Sequence, residues 1–100
     1  MELIQDKDGN QFELGDMTIR HIQEEHRILD VVRFVTEVLK TPDAIVESNW
    51  DAETYLYYKK RRHGYKVVVA NVTQKFIKTA YLERKLKEGK ILWLNPKLMR

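Results

Sequence analysis

The sequence predicts an α+β fold in which N-terminal helices pack on one face of a four-stranded antiparallel sheet. Two observations favour this class. Apolar residues recur at helical spacing between residues 16 and 40. Short runs rich in valine, isoleucine, threonine and aromatic residues follow between residues 44 and 81, with turn residues between them and no intervening helix. A length of 100 residues predicts that residues 1–100 form a single domain.

The N-terminal segment predicts a hairpin followed by a helix. Residues 3–14 form two short alternating arms around an Asp-Gly pair, a strong turn signal because glycine takes positive φ without penalty. They predict a small hairpin or an extended arm. Asp16 or Thr18 can cap the first helix, which runs to about Arg27.

The second predicted helix has the clearest pattern. Asp30 can cap its N-terminus, and Thr41 ends it because a residue before proline disfavours helical backbone. A helix with an apolar stripe of this length is expected to pack on the sheet. The stripe consists of Val31, Phe34, Val35, Val38 and Leu39.

Four strands are predicted at residues 44–50, 54–60, 67–72 and 76–81. Residues 82–88 predict a short helix with Gly89 as its C-cap, after which an apolar run packs back on the domain.

The last two predicted strands carry polar residues among their apolar ones. If side chains alternate regularly along the last strand, Ile77 lies on the same face of the sheet as Thr79 and Tyr81. If the apolar sets of both strands face the helices, then Asn71, Thr79 and Tyr81 lie on the open face of the sheet. A one-residue change in the turn register would reverse this facing.

The charge is distributed unevenly along the chain. Residues 1–58 contain 5 Lys and Arg against 13 Asp and Glu, whereas residues 59–100 contain 13 against 2. This asymmetry predicts either a basic surface suited to a phosphate backbone or two halves that complement each other on folding. The basic segment 59–66 can clamp phosphates at a hairpin tip, or it can be a solvated loop that prevents edge pairing. The candidate substrate-binding residues are Tyr58, Lys59, Lys60, Arg61, Arg62 and Asn71.

His21 is a candidate for acid–base chemistry, and His26 lies five residues after it on the same predicted helix. Five helical positions rotate a side chain by about 140°, so the two imidazoles cannot easily hold one metal ion. No metal and no other cofactor is expected. Glu25 lies one turn after His21 and can orient its ring, which suits proton transfer or phosphate binding near neutrality. The alternative is an exposed helix histidine beside a solvated carboxylate.

Two features of the composition exclude other classes. The chain has no cysteine, which excludes disulfides and thiolate metal sites. No run reaches the roughly 18 apolar residues of a membrane span, so a cytoplasmic protein without a membrane partner is expected.

Several short motifs occur in a characteristic order. They are His21-Ile22 with His26, Thr41-Pro42-Asp43-Ala44-Ile45, Tyr57-Tyr58, Val67-Val68-Val69 and Thr79-Ala80-Tyr81. Over about residues 10–93 this ordered set resembles the phage-type barnase–EndoU–colicin–RelE-like (BECR) nucleases. The resemblance implies helices on a four-stranded antiparallel sheet and a toxin-like, metal-independent RNA endonuclease. An acidic antitoxin or immunity protein is the expected protein partner of such a basic surface.

The resemblance implies that His21, His26, Thr79 and Tyr81 have catalytic roles. The 2′-hydroxyl of RNA would attack the adjacent phosphorus, Lys78 or Lys59 would offset developing charge, and Thr79 and Tyr81 would hold phosphate oxygens. One departure is acidic Glu25, which stands where a basic residue is expected and weakens attraction for phosphate. The alternative is a non-catalytic RNA-binding or protein-interaction module on the same scaffold.

Overall fold

The structure, a computed structural model, describes residues 1–86 and 89–99. Within these residues, seven strands form one sheet and two helices pack against it. In chain order the elements are β1 (Glu2–Gln5), β2 (Gln11–Leu14), α1 (Asp16–His26), α2 (Val31–Lys40), β3 (Ala44–Ser48), β4 (Thr54–Arg61), β5 (Gly64–Asn71), β6 (Phe76–Glu83), β7 (Gly89–Leu94) and a 3-10 turn (Pro96–Met99).

The predicted four-stranded antiparallel sheet is wrong. The strand order is β1-β2-β6-β5-β4-β3-β7, and the sheet is mixed because β2 runs parallel to β6. The four predicted strands are the central ones, β3 to β6. The N-terminal hairpin extends the sheet beyond β6, and β7 extends it beyond β3. Both additions pair segments that are far apart in sequence, so no local pattern marks them.

The helix predicted at residues 82–88 is also wrong where the structure describes it. Strand β6 continues to Glu83, because Leu82 and Glu83 pair with β5 and this pairing overrides local helix propensity. Residues 87 and 88 lie outside the described residues. Gly89 begins β7 and is not a helix cap. A Cβ at this position would lie 2.5 Å from the carbonyl oxygen of Glu47, so glycine allows β7 to approach β3.

Helix α2 confirms its prediction. The Asp30 carboxylate accepts a hydrogen bond from the backbone N–H of Arg33 at 3.2 Å, and all five residues of the apolar stripe are buried. Helix α1 begins after Gly15 without a side-chain cap, so neither Asp16 nor Thr18 caps it. Within the described residues, neither helix is long and apolar enough to cross a membrane.

Both faces of the sheet bury apolar side chains. The helix-bearing face includes Phe12, Tyr57, Val68 and the α2 stripe. The opposite face has a second buried cluster, against which three partly buried side chains pack. This cluster consists of Ala44, Val46, Leu56, Tyr58, Val67 and Val69, with Tyr65, Tyr81 and Leu94 against it.

A β-bulge in β6 sets which residues face away from the helices. Val69 pairs with Thr79 and Ala70 pairs with Ile77, so Lys78 is the extra residue. Ile77 therefore turns to the helix side, contrary to the expected alternation. Thr79 and Tyr81 lie on the opposite face, beside Val69 and Val67.

Candidate active site

Helix α1 carries two histidines to the edge of β6. Strand β2 pairs with β6 through the single position Glu13–Phe76, and α1 follows β2 directly and packs along β6. At the end of α1 the His26 ring centroid lies 5.7 Å from that of Tyr81 and 5.6 Å from that of His21. We call His21, His26 and Tyr81 the histidine–tyrosine row.

The histidine–tyrosine row is open to solvent at one end. His21 is exposed, whereas His26 and Tyr81 are partly buried. The two imidazole planes meet edge to face at 81°. Two neighbouring imidazoles supply one group that can remove a proton and one that can donate a proton, which is what general acid–base catalysis requires.

A groove of about 390 Å³ adjoins the row on the same face of the sheet. Leu56 and Val69 form its floor, Thr79 and Tyr81 form one wall, and Trp50 stands at its rim. We call it the Trp50 groove. Its floor is apolar and its walls carry hydroxyl groups, which is the usual composition of a small-ligand site.

The Thr79 hydroxyl is buried and has no hydrogen-bond partner in the described part of the chain. A buried hydroxyl without a partner costs free energy, so Thr79 is a polar position for which the described fold supplies no counterpart. The bulge brings Lys78 to the same face, where its Nζ lies 3.2 Å from Oγ1 of Thr54. The Thr54 hydroxyl donates to Oδ2 of Asp51 at 2.9 Å.

Asp51 fixes the turn beside Trp50. Its pKa is held below the ordinary value by the backbone N–H of Glu53 and by the Thr54 hydroxyl, with a smaller contribution from the charge of Lys78. The carboxylate is therefore ionised at neutral pH, and the turn has a defined geometry.

The basic hairpin tip lies beyond the other end of the row. Arg61, Arg62 and His63 are exposed between β4 and β5. Arg61 and His63 line a shallow cavity of about 410 Å³ together with Arg84, just beyond the end of β6. The predicted phosphate-binding tip is thus a neighbour of Tyr81 along β6, and Lys60 is exposed at its base.

Three predicted substrate-binding residues have structural contacts elsewhere. Tyr58 is 0% exposed and packs edge to face with Tyr65. Asn71 is buried and accepts hydrogen bonds from two backbone N–H groups in the following turn. Lys59 lies on the helix side, where its Nζ donates to both oxygens of Thr41 at 2.9 Å. None of these three side chains lies on the surface beside the row.

Sequence reasoning missed Trp50 as a candidate site residue, because it placed Trp50 at the end of the predicted strand 44–50 and in the turn that follows and gave it no role. Its side chain is 95% exposed. The sequence does indicate an exposed tryptophan, because Asn49 and Asp51 on either side of it are typical of a polar turn and not of an alternating strand.

A cavity larger than the Trp50 groove, of about 590 Å³, lies on the helix-bearing face and not beside the row. Most of its polar groups are already paired with one another. Tyr57 donates to Oδ2 of Asp6 at 2.8 Å, and Asn10 and Asp8 donate to the same carboxylate. Burial raises the pKa of Asp6, but these hydrogen bonds outweigh it and leave the pKa below the ordinary value. Burial and Asp6 raise the pKa of Tyr57. The hydrogen bonds to Asp6 in this cavity are therefore part of the fold itself.

Comparison with known proteins gives no assignment. A scan of protein-family models, a search of curated proteins and a search of solved structures each found no match. The resemblance to BECR nucleases therefore stays a prediction. Among the described residues, no group of three or more His, Asp or Glu side chains is arranged to hold a metal ion.

Proposed function

We propose that the protein is a toxin-like, metal-independent RNA endonuclease whose active site is the histidine–tyrosine row. The observation that carries this proposal is that the two histidines of α1 meet Tyr81 of β6, since these elements are far apart in the chain. The row opens onto a groove on one side and a basic hairpin tip on the other.

In the proposed reaction one imidazole acts as base and the other as acid. The base removes the proton of a ribose 2′-hydroxyl, and the 2′-oxygen forms a bond to the adjacent phosphorus. The bond from phosphorus to the 5′-oxygen breaks, and the acid protonates that oxygen. The products are a cyclic phosphate end and a 5′-hydroxyl end, and the enzyme is left with the two imidazoles in exchanged protonation states.

The surrounding groups stabilise the charge that develops on the phosphate. Tyr81 touches His26 and supplies a hydroxyl for a phosphate oxygen. Lys78 supplies positive charge from the same face, and Thr79 binds the neighbouring part of the same nucleotide. Arg61 and Arg62 hold the backbone further along the strand. The proposed compartment is the cytoplasm, where RNA is abundant, and an acidic antitoxin is the proposed protein partner.

The test is cleavage of mixed RNA in the presence of a chelator. We expect cyclic phosphate ends from the unmodified protein, and a loss of rate of about 10²- to 10⁴-fold in His21→Ala and in His26→Ala. Glu24→Ala is the control, because Glu24 is exposed on the same helix and lies outside the row.

Two results would contradict the proposal. Equal activity in the unmodified protein and both histidine variants would remove the row from the reaction. Salt-sensitive RNA binding with no product would favour the non-catalytic RNA-binding module instead, and Glu25 beside His26 is the feature that would account for it.

A further inference from the structure

We propose that the Trp50 groove binds one nucleobase of single-stranded RNA, stacked on the Trp50 ring. The identity of the ligand rests on the proposed function, because the groove is continuous with the histidine–tyrosine row through Tyr81. The inference adds a base-binding subsite next to the point of cleavage and names the residues that form it.

Trp50 is an exposed aromatic ring on a fixed turn. Its side chain is 95% exposed, although tryptophan gains more than most residues from burial. Its backbone N–H donates to Oγ of Ser48 at 3.1 Å, and Asp51 binds the backbone N–H of Glu53 at 2.9 Å. The turn is therefore organised before any ligand binds. Stacking on such a ring is the general way in which proteins hold unpaired bases.

The groove supplies the other contacts that a base requires. Leu56 and Val69 offer an apolar floor for the flat face of the base. The Thr79 hydroxyl can both donate and accept, and it has no partner in the described part of the chain. The edge of a base carries donors and acceptors that match this hydroxyl. A volume of about 390 Å³ lies within the range of small-ligand sites.

The charges favour a nucleic acid over an apolar side chain as the occupant. Lys78 is exposed beside the groove. The basic hairpin tip lies further along β6, near its C-terminal end. From Thr79 to Glu83 the strand rises by about 13 Å. A single-stranded RNA that lies along β6 would therefore contact the Trp50 groove, then the histidine–tyrosine row and then the basic hairpin tip. Its phosphates would lie near cations, and one base would stack on Trp50.

The test uses short 2′-O-methyl oligoribonucleotides, which lack the attacking hydroxyl and so can bind without being cut. We expect Trp50→Ala to weaken binding by about 5- to 100-fold, because base–aromatic stacking has this size. Trp50→Phe should recover most of the loss, since it keeps a ring. Leu29→Ala is the matched control, because Leu29 is 85% exposed on the loop between α1 and α2.

A second variant tests the contact to the base edge. Thr79→Val keeps the shape and removes the unpartnered hydroxyl, so the free energy of unfolding should be unchanged or higher. Its affinity profile across oligonucleotides of A, C, G and U should become flatter than that of the unmodified protein. A structural role for Thr79 would instead lower the stability and leave the profile unchanged.

The outcomes separate this inference from the proposed function. If RNA is cleaved at the row but Trp50→Ala binds normally, the base site is overturned and the nuclease stands. If Trp50→Ala loses affinity but no RNA is cut, the base site stands and the nuclease is overturned. If no oligonucleotide binds even at low salt, both the base site and the nuclease are overturned.

Discussion

At the scale of single residues, the hydrogen bond from Tyr57 to Asp6 links the β1–β2 turn to the centre of the sheet. Tyr57→Phe should lower the free energy of unfolding by about 1.5–3 kcal/mol at neutral pH, because the acceptor is an ionised, buried carboxylate. Urea denaturation measures this change. Tyr55→Phe is the control, since the Tyr55 hydroxyl has no hydrogen bond in the described part of the chain and its loss should cost little.

The same residues predict a pH dependence. The pKa of Asp6 is lowered from 3.8 on folding, so its ionised form stabilises the protein above 3.8. This contribution is lost as the pH falls through the lower pKa of the folded state. The stability gap between the unmodified protein and Tyr57→Phe should therefore shrink in acid. A gap that stays constant from neutral pH to well below 3.8 would show that the Asp6 charge is not involved.

Residue identity alone was enough to select some site residues and not others. His21, His26 and Tyr81 were selected from short motifs, and the structure brings their rings together. Tyr58 carries the same phenol as Tyr81 and was predicted to bind substrate, yet it is fully buried. Burial depends on what lies over the second face of the sheet. This is a long-range property that the sequence of one strand does not contain.

At the scale of elements, Gly64 determines how closely the β4–β5 hairpin approaches β6. Its φ is 139°, and a Cβ would collide with the carbonyl oxygen of Glu83. Gly64→Ala should lower the free energy of unfolding by at least about 2 kcal/mol, because strain and collision add. Gly9→Asn should cost less than about 1 kcal/mol, because its φ of 86° has open space around it and asparagine tolerates positive φ. If urea denaturation shows that Gly64→Ala and Gly9→Asn lose the same free energy of unfolding, the proposed collision with Glu83 is contradicted.

The elements show where local pattern is sufficient and where it fails. The stripe of α2 and its Asp30 cap are contained in ten consecutive residues, and both were predicted correctly. The bulge at Lys78 depends on how β6 meets β5, and strict alternation therefore placed Ile77 on the wrong face. Strand β7 was not predicted, because its partner β3 lies more than forty residues earlier in the chain, from Ser48–Gly89 to Ala44–Leu94.

At the scale of the whole molecule, the uneven charge predicts salt-dependent binding. Replacing both Arg61 and Arg62 with Gln should reduce the slope of log affinity against log salt by about 1.4 for a single-stranded oligonucleotide. The control replaces Arg33 and Lys40 with Gln, which changes the net charge equally on the exposed side of α2. Equal slopes in the two double variants would show that net charge, and not the hairpin tip, determines binding.

The position of β7 has a consequence for synthesis on the ribosome. Strands β4, β5 and β6 are made and can pair before β7 emerges, which leaves the outer edge of β3 without a neighbour. Ser48, at the end of β3 and on the lining of the Trp50 groove, pairs with Gly89 of β7. Ser48, which lines the groove beside the histidine–tyrosine row, therefore gains its strand neighbour only after β7 has been made. The part of the molecule that carries the groove is thus shaped in two stages during synthesis, first by β4 to β6 and then by β7.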